Sequence, residues 1–373
     1  MAAAVNAQQG VLALYPFFVV GMLPLGVMRE MRRRGLEVWF GRYLESAGGY
    51  SVDACDDLRA AGRLLPNVPL GRPEGTDFLE AVVDERCIQL ILNFGAPWAY
   101  AQLSTLKERR PGIRILDTLY NPGPHFHSFS SYHPAFDGVI VESEDMVRRL
   151  GEPGWPPVFK VESGIDLDRF AALDTASDTL AAELTVGFLG RMSPEKNPLG
   201  FVELAEQLHQ RRPGMRFKMF GEGPLARAVS ERAANSPAAA VISFEGFVDH
   251  PASALAQLDV IVVPSRLDGR PAVVMEASAC GVPVIGAPVG GIPELIEEGR
   301  NGFVVAPKDV DRISALISEW SGDRAKFASL RSNARRVAEE RFGRTRMMDR
   351  YERVYREVLN CPARPPARAP GRA

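Results

Sequence analysis

The chain has 373 residues, 46% of them hydrophobic and 24% charged, the balance of a globular protein of ordinary multi-domain size rather than a disordered one. A net charge of −2 supplies no positive field to gather phosphates non-specifically, which argues against a nucleic-acid-binding protein. The four cysteines, Cys55, Cys87, Cys280 and Cys361, form no Cys-x-x-Cys pair, so neither a zinc site nor a disulfide framework is expected and a reducing compartment fits.

From the N-terminus, no basic stretch precedes an apolar core with a small-residue cleavage site, so no signal peptide is expected. The apolar run Val11–Leu25 is broken by Pro16 and Pro24 and is too short to span a bilayer. A cytoplasmic protein is the expectation. Short apolar runs then alternate with amphipathic stretches, the pattern of a parallel sheet covered by helices. Strands are predicted at Val11–Tyr15, Glu37–Phe40, Leu90–Asn93, Ile113–Leu116, Val139–Val141 and Val158–Val161. Helices are predicted at Leu25–Arg34, Tyr100–Arg109 and Glu144–Leu150, while residues 41–75, rich in Gly, Pro and Asp, read as irregular. On the first helix Arg29, Arg32, Arg33 and Arg34 stand beside Leu25, Met28 and Met31, which leaves peripheral contact with the inner face of the membrane open.

The small, acidic segment Asp174–Glu183 reads as a linker. A second series of strands follows at Thr185–Leu189, Phe217–Phe220, Val241–Phe244, Val260–Val263, Val284–Ile285 and Phe303–Val305. Asp309–Leu359 is helical, with Phe342, Met347, Tyr351, Val354, Tyr355 and Val358 at helical spacing, and a Pro/Ala/Arg-rich tail follows Pro362. Two doubly wound α/β units in tandem are the reading, with ligands expected beyond the carboxyl ends of the strands and in the cleft between units. The predicted domains are 1–165, 166–342, a helix 343–361 returning to the first domain, and a disordered tail 362–373.

Two loops carry candidate chemistry. Gly190-Arg191-Met192-Ser193-Pro194-Glu195-Lys196-Asn197 links a strand to a helix, and two cations beside a helix N-terminus suit a diphosphate. The second loop, Pro264 to Pro271, holds Asp268, Gly269 and Arg270 and runs into an apolar helix carrying Glu276. A carboxylate among Val273, Val274, Met275 and Ala277 needs a partner, either the hydroxyls of a ribose or a backbone amide or arginine of the protein.

Gly190-Arg191, Glu195-Lys196, Gly221-Glu222-Gly223-Pro224-Leu225, Phe244-Glu245-Gly246-Phe247, Pro264-Ser265, Glu276-Ala277 with Cys280-Gly281-Val282-Pro283, and Gly290-Gly291-Ile292-Pro293-Glu294 occur in this order. Together they resemble the donor-binding half of the retaining GT-B-fold glycosyltransferases of family 4 (glycosyl transferases group 1). The resemblance implies a GT-B architecture, two doubly wound Rossmann-like domains facing across a cleft. It implies transfer of a sugar from a nucleotide diphosphate-sugar to an acceptor in glycan assembly, with retention of configuration and no metal or other cofactor. Arg191 and Lys196 would hold the diphosphate, Glu276 the ribose, and Asp268, where the family usually has Glu, the transferred sugar. Backbone around Gly269 and Arg270 would face sugar or phosphate, Gly190 and Gly223 would lie near the phosphates, and Phe247 near the base.

The first half resembles the family less. Only Gly21 of a paired-glycine loop is retained. Tyr120 stands where the family often has a histidine near the donor sugar, leaving His125 or His127 as candidates to line the site. Asp166-Leu167-Asp168 has an Asp-x-Asp spacing, but within Ser163-Gly164-Ile165-Asp166 it reads as a helix-cap aspartate and no metal site is expected. The acceptor is unassigned and no obligate protein partner is evident. Two other functions fit the same architecture, a sugar-nucleotide epimerase and a non-catalytic glycosyltransferase-like partner.

Overall fold

Strands buried on both faces read in sequence as unbroken apolar runs, as Gly138–Val141 and Val260–Val263 do here. The computed structural model describes residues 10–16, 22–43, 56–65, 68–151, 153–170 and 184–364. They form two compact units, one spanning the chain up to Glu162 and again from Met347, the other Ser163–Arg346.

The first unit holds β1 (Gly10–Pro16), β2 (Glu37–Tyr43), β3 (Leu64–Leu65), β4 (Ile88–Asn93), β5 (Arg114–Leu119), β6 (Gly138–Val141) and β7 (Val158–Lys160). Their order is β3-β2-β1-β4-β5-β6-β7, and every paired neighbour is parallel. One face of the sheet packs against Val27, Met28 and Met31 and against Met347, Tyr351 and Tyr355 of the helix Arg344–Asn360. The other packs on Leu79, Tyr100, Leu103 and Phe129. Ser143 caps the helix Glu144–Leu150 by accepting the amide of Met146 at 3.3 Å.

The second unit holds β8 (Thr185–Leu189), β9 (Arg216–Phe220), β10 (Ile242–Gly246), β11 (Val260–Val263), β12 (Val284–Gly286) and β13 (Gly302–Val304). They are ordered β10-β9-β8-β11-β12-β13, again with parallel neighbours throughout. All four residues of β11, Val260, Ile261, Val262 and Val263, are buried. Phe201, Leu204 and Leu208 of the helix Pro198–Arg211 cover one face, and Val274, Met275 and Ala277 of the helix Ala272–Ala279 the other.

Three sequence expectations change. The stretch 41–75 is not irregular throughout: β2 runs to Tyr43, a helix occupies Asp56–Ala60, β3 follows, and Gly75–Glu85 begins another helix. The strand expected at Val241–Phe244 begins at Ile242 and reaches Gly246, because a 3₁₀ turn takes Ala239–Val241. Asp166 precedes the 3₁₀ turn Leu167–Arg169 but makes no capping bond, and its carboxylate instead pairs with Arg344 at 3.2 Å. Gly21, the segment Asp174–Glu183 and the tail beyond Arg364 lie outside the described residues. Among the described residues no helix is long and apolar enough to cross a membrane.

Candidate active site

Strand order in the second unit reverses at β8. From there the chain winds outward through β9 and β10, returns, and winds the other way through β11, β12 and β13. The loops after β8 and β11 therefore leave the carboxyl edge of the sheet at its switch point, the place where doubly wound sheets bind ligands.

The loop after β8 is built to be rigid. Pro194–Lys196 makes one 3₁₀ turn, and Asn197 takes the left-handed conformation at φ 56° before Pro198 opens a helix. Asparagine is among the few residues that tolerate this conformation. The carbonyl of Glu195 accepts the amides of Arg266 at 2.7 Å and Leu267 at 3.3 Å, clamping the β11 loop onto the β8 loop. The Asn197 side chain adds a bond to the carbonyl of Pro264 at 3.2 Å.

Two further loops lie against this pair. The amide of Met192 donates to Glu222 at 2.8 Å and the amide of Leu225 donates to Met192 at 2.8 Å, so the Gly221–Leu225 loop rides on the β8 loop. A side chain at Gly223 would stand 2.6 Å from the carbonyl oxygen of Met192, which restricts that position to glycine. On the other flank the amide of Gly291 donates to the carbonyl of Gly269 at 2.7 Å.

Within this frame Lys196 Nζ lies 2.6 Å from Asp268 Oδ2, and the hydroxyl of Ser265 donates to the same oxygen at 2.9 Å. Asp268 is 7% exposed. Arg191 is exposed in the loop directly after β8 and makes no ion pair among the described residues. Arg270 is buried, with its guanidinium over the ring of Phe342 at 5.8 Å and Nε donating to the carbonyl of Ser163 at 3.3 Å. Its side chain thus points away from solvent, a structural role the sequence did not suggest. Gly190 donates its amide to Phe220 at 3.1 Å, and Phe247 is 58% exposed just past β10.

Glu276 projects from the helix Ala272–Ala279 and has no hydrogen-bond or ion-pair partner among the described residues. Burial pushes its carboxyl up to about 7, opposed only by the charge of Arg169. Neither a backbone amide nor an arginine bonds this carboxylate among the described residues, which leaves the ribose hydroxyls as the other partner expected from the sequence.

In the first unit the carboxyl ends of β4 and β5 carry a polar cluster that sequence reading did not single out. Asp117, fully buried, accepts Tyr100 Oη at 2.6 Å and Asn93 Nδ2 at 2.8 Å, and burial raises its carboxyl to about 7. The available signal was a polar residue at the same register position in two adjacent apolar strands, since Asn93 pairs with Asp117. A Cβ on Gly95 would stand 3.7 Å from both His125 Nδ1 and the Tyr120 ring, so these two side chains flank one glycine. Burial lowers the His125 pKa, which favours the neutral ring. His127 is exposed and does not share this position. The arginine-rich first helix is partly neutralised: Arg34 pairs with Asp349 at 2.8 Å and Glu352 at 2.7 Å, and Arg33 with Glu30 at 3.2 Å.

Residues 177–337 match the family of glycosyl transferases group 1. That stretch carries the β8, β9, β11 and β12 loops just described. Among curated proteins the chain is 28% identical over 361 residues to a D-inositol 3-phosphate glycosyltransferase of Rhodococcus opacus, covering 83% of this chain and 79% of that protein. It is 29% identical over 184 residues to a GDP-mannose-dependent alpha-(1-6)-phosphatidylinositol monomannoside mannosyltransferase of Mycolicibacterium smegmatis, covering 45% of this chain and 48% of that one. The chain spans about half or less of the length of several curated relatives it matches. Its fold is similar to that of HepE from Anabaena solved with UDP, at a TM-score of 0.75 and 17% identity over 94% of this chain and all of that one. The protein has the α/β architecture of GT-B glycosyltransferase structures, two parallel-sheet Rossmann-like domains, and several of its relatives are named glycosyltransferases.

Proposed function

We propose that this protein is a glycosyltransferase of family 4 that moves a sugar from a nucleotide diphosphate-sugar to an acceptor hydroxyl with retention of configuration. The observation that carries this reading is the switch point between β8 and β11, where four loops bonded to one another carry the cations Arg191 and Lys196. In this reading the donor diphosphate lies at Arg191 and Lys196 beside the Gly190 and Gly223 backbone. The unpartnered carboxylate of Glu276 accepts the ribose hydroxyls, and the exposed ring of Phe247 faces the base. HepE, solved with UDP, supports a nucleoside diphosphate as the ligand of this fold.

The reaction asks for positioning and charge stabilisation. The bond from the anomeric carbon to the β-phosphate oxygen breaks, and the acceptor oxygen bonds to that carbon from the same face. The acceptor proton passes to the departing phosphate. Arg191 and Lys196 offset the charge that grows on the leaving diphosphate. In this reading the two cations stabilise the leaving group without a metal ion. The first unit takes the acceptor, with Tyr120 and His125 at the carboxyl edge of its sheet.

A panel of UDP-, GDP- and ADP-sugars tests the donor reading by thermal shift, since a ligand that binds only the folded state raises its melting temperature. The matching nucleotide sugar is expected to stabilise the protein and to be hydrolysed slowly without acceptor. NMR of the product anomeric proton reads retention, and an inverted product or epimerised donor overturns the assignment.

A further inference from the structure

We infer that Asp268 acts on the donor through Lys196, as a positioning residue that holds the ammonium at the switch point, and not as a direct ligand of the sugar. This rests on the reading that a nucleoside diphosphate binds there. Lys196 and Asp268 are 72 positions apart, on loops that leave the sheet at β8 and β11, the two strands flanking the switch point. Their 2.6 Å contact is the one ion pair that joins these two loops among the described residues. The Asp268 side chain is 8% exposed while that of Lys196 is 28% exposed, so the carboxylate is set into the protein and the lysine is the partner solvent reaches.

A nearly buried carboxylate is held only by charge and hydrogen bonds from the protein, and here both come to one oxygen, Oδ2. Ser265, itself buried, fixes that oxygen from below. The aspartate in turn fixes one end of a long, flexible side chain. An ammonium carries several donors, so Lys196 can keep Asp268 and still reach a phosphate oxygen. Preorganising the cation in this way lowers the entropy lost when the diphosphate arrives.

The consequence is a coupling between the two residues that is visible without any sugar. Without the lysine, Asp268 becomes an uncompensated carboxylate next to incoming phosphates, so its removal should then help binding. Calorimetry on the full chain with UDP, GDP and ADP compares wild type, Lys196→Ala, Asp268→Asn and the double variant. Lys196→Ala is expected to weaken the tightest of these diphosphates by about tenfold or more, and adding Asp268→Asn to regain at least about threefold of it. Asp268→Glu, which retains the charge, should behave as wild type in the same cycle. Effects that add within about twofold overturn the proposal. So does an Asp268→Asn variant that loses affinity for a nucleotide sugar but not for its bare diphosphate.

A second measurement does not depend on Lys196→Ala being folded or on any nucleotide binding. Labelling of Lys196 by an amine-reactive ester, followed by mass spectrometry, should run several-fold faster in Asp268→Asn than in wild type. An unchanged rate shows that the aspartate does not hold the lysine. If no diphosphate binds the wild-type protein, the donor reading falls, while the labelling still decides the role of Asp268.

Discussion

A methyl group on Gly290 would stand 1.7 Å from the carbonyl oxygen of Asp268. The loop after β12 therefore passes directly over the loop after β11, with Gly290 in the left-handed region at φ 54° and the Gly291 amide bonded to Gly269 just beyond. Any side chain at Gly290 forces the two loops apart, and the loop that moves is the one carrying Asp268 and Arg270. Gly290→Ala is expected to destabilise the protein by about 1–3 kcal/mol in urea titrations, as other overpacked sites do. It should also weaken nucleoside diphosphate binding by more than about tenfold, since a small displacement of a positioning group has large effects. A variant with wild-type affinity would mean that the β12 loop does not shape the site.

Glu276 sets the second prediction. Its folded carboxyl is raised from 4.5 to about 7, so the folded protein binds more protons than the unfolded chain between those values. Its contribution to stability is therefore greatest below pH 4.5 and falls as pH rises toward 7. Glu276→Gln removes that term, and the variant should be more stable than wild type at pH 8, by on the order of 1 kcal/mol. Binding runs the other way. The ionised carboxylate is the better acceptor for hydroxyls, so wild-type nucleotide affinity should increase from pH 6 to pH 8, and Glu276→Gln should be weaker and flatter across that range. Melting and calorimetry at the two pH values check both halves, and equal pH profiles would remove Glu276 from the ligand.

The buried pair Lys107–Asp137 gives a stability prediction away from that site. Lys107 is fully buried; its ammonium donates to the carbonyl of Ile113 at 2.6 Å and lies 2.8 Å from Asp137 Oδ2. Asp137 also accepts the amides of Ile115 and Arg364, so this one carboxylate joins β5 to the segment that follows the helix Arg344–Asn360. Burial lowers the Lys107 pKa, with Asp137 opposing it. Lys107→Met leaves Asp137 buried without a cation and should cost about 3–5 kcal/mol in urea unfolding. A loss below about 1 kcal/mol, the value of an exposed pair, would show that water reaches the site.

These cases also mark what the sequence could and could not disclose. The strands were legible because parallel strands covered on both faces, such as Val260–Val263, need apolar residues at every position. β3 was not, because Leu64–Leu65 is too short to show a period and sits in a Gly- and Pro-rich stretch. The cations Arg191 and Lys196 stood out beside a glycine turn, but nothing local tied Lys196 to Asp268, whose partnership exists only once β8 and β11 lie side by side. Lys107 was hidden for the same reason. In a helix reading Tyr100–Arg109 it resembles any solvated lysine, and only the tertiary neighbour Asp137 accounts for its burial. Arg270 was read as a residue facing the ligand by its backbone, and its side chain turns out to brace Ser163 and Phe342.

The helix Arg344–Asn360 supplies the last prediction. Met347, Tyr351, Tyr355 and Val358 recur at helical spacing and insert into the core beside β1 and β4. Tyr355 is 1% exposed, and its hydroxyl is buried with no hydrogen-bond partner among the described residues, while burial holds its pKa well above the usual value for a phenol. A hydroxyl that loses water and gains nothing opposes folding, whereas its ring, 5.7 Å from that of Tyr351, favours it. Tyr355→Phe keeps the ring and removes the unpaired group, so it should leave the protein equally stable or more stable by about 1 kcal/mol. Tyr355→Ala should cost about 3–5 kcal/mol through the cavity it opens. Urea midpoints for the two variants separate these contributions. A Tyr355→Phe variant destabilised by more than about 1 kcal/mol would reveal a partner for the hydroxyl, such as a bound water with bonds to both sides.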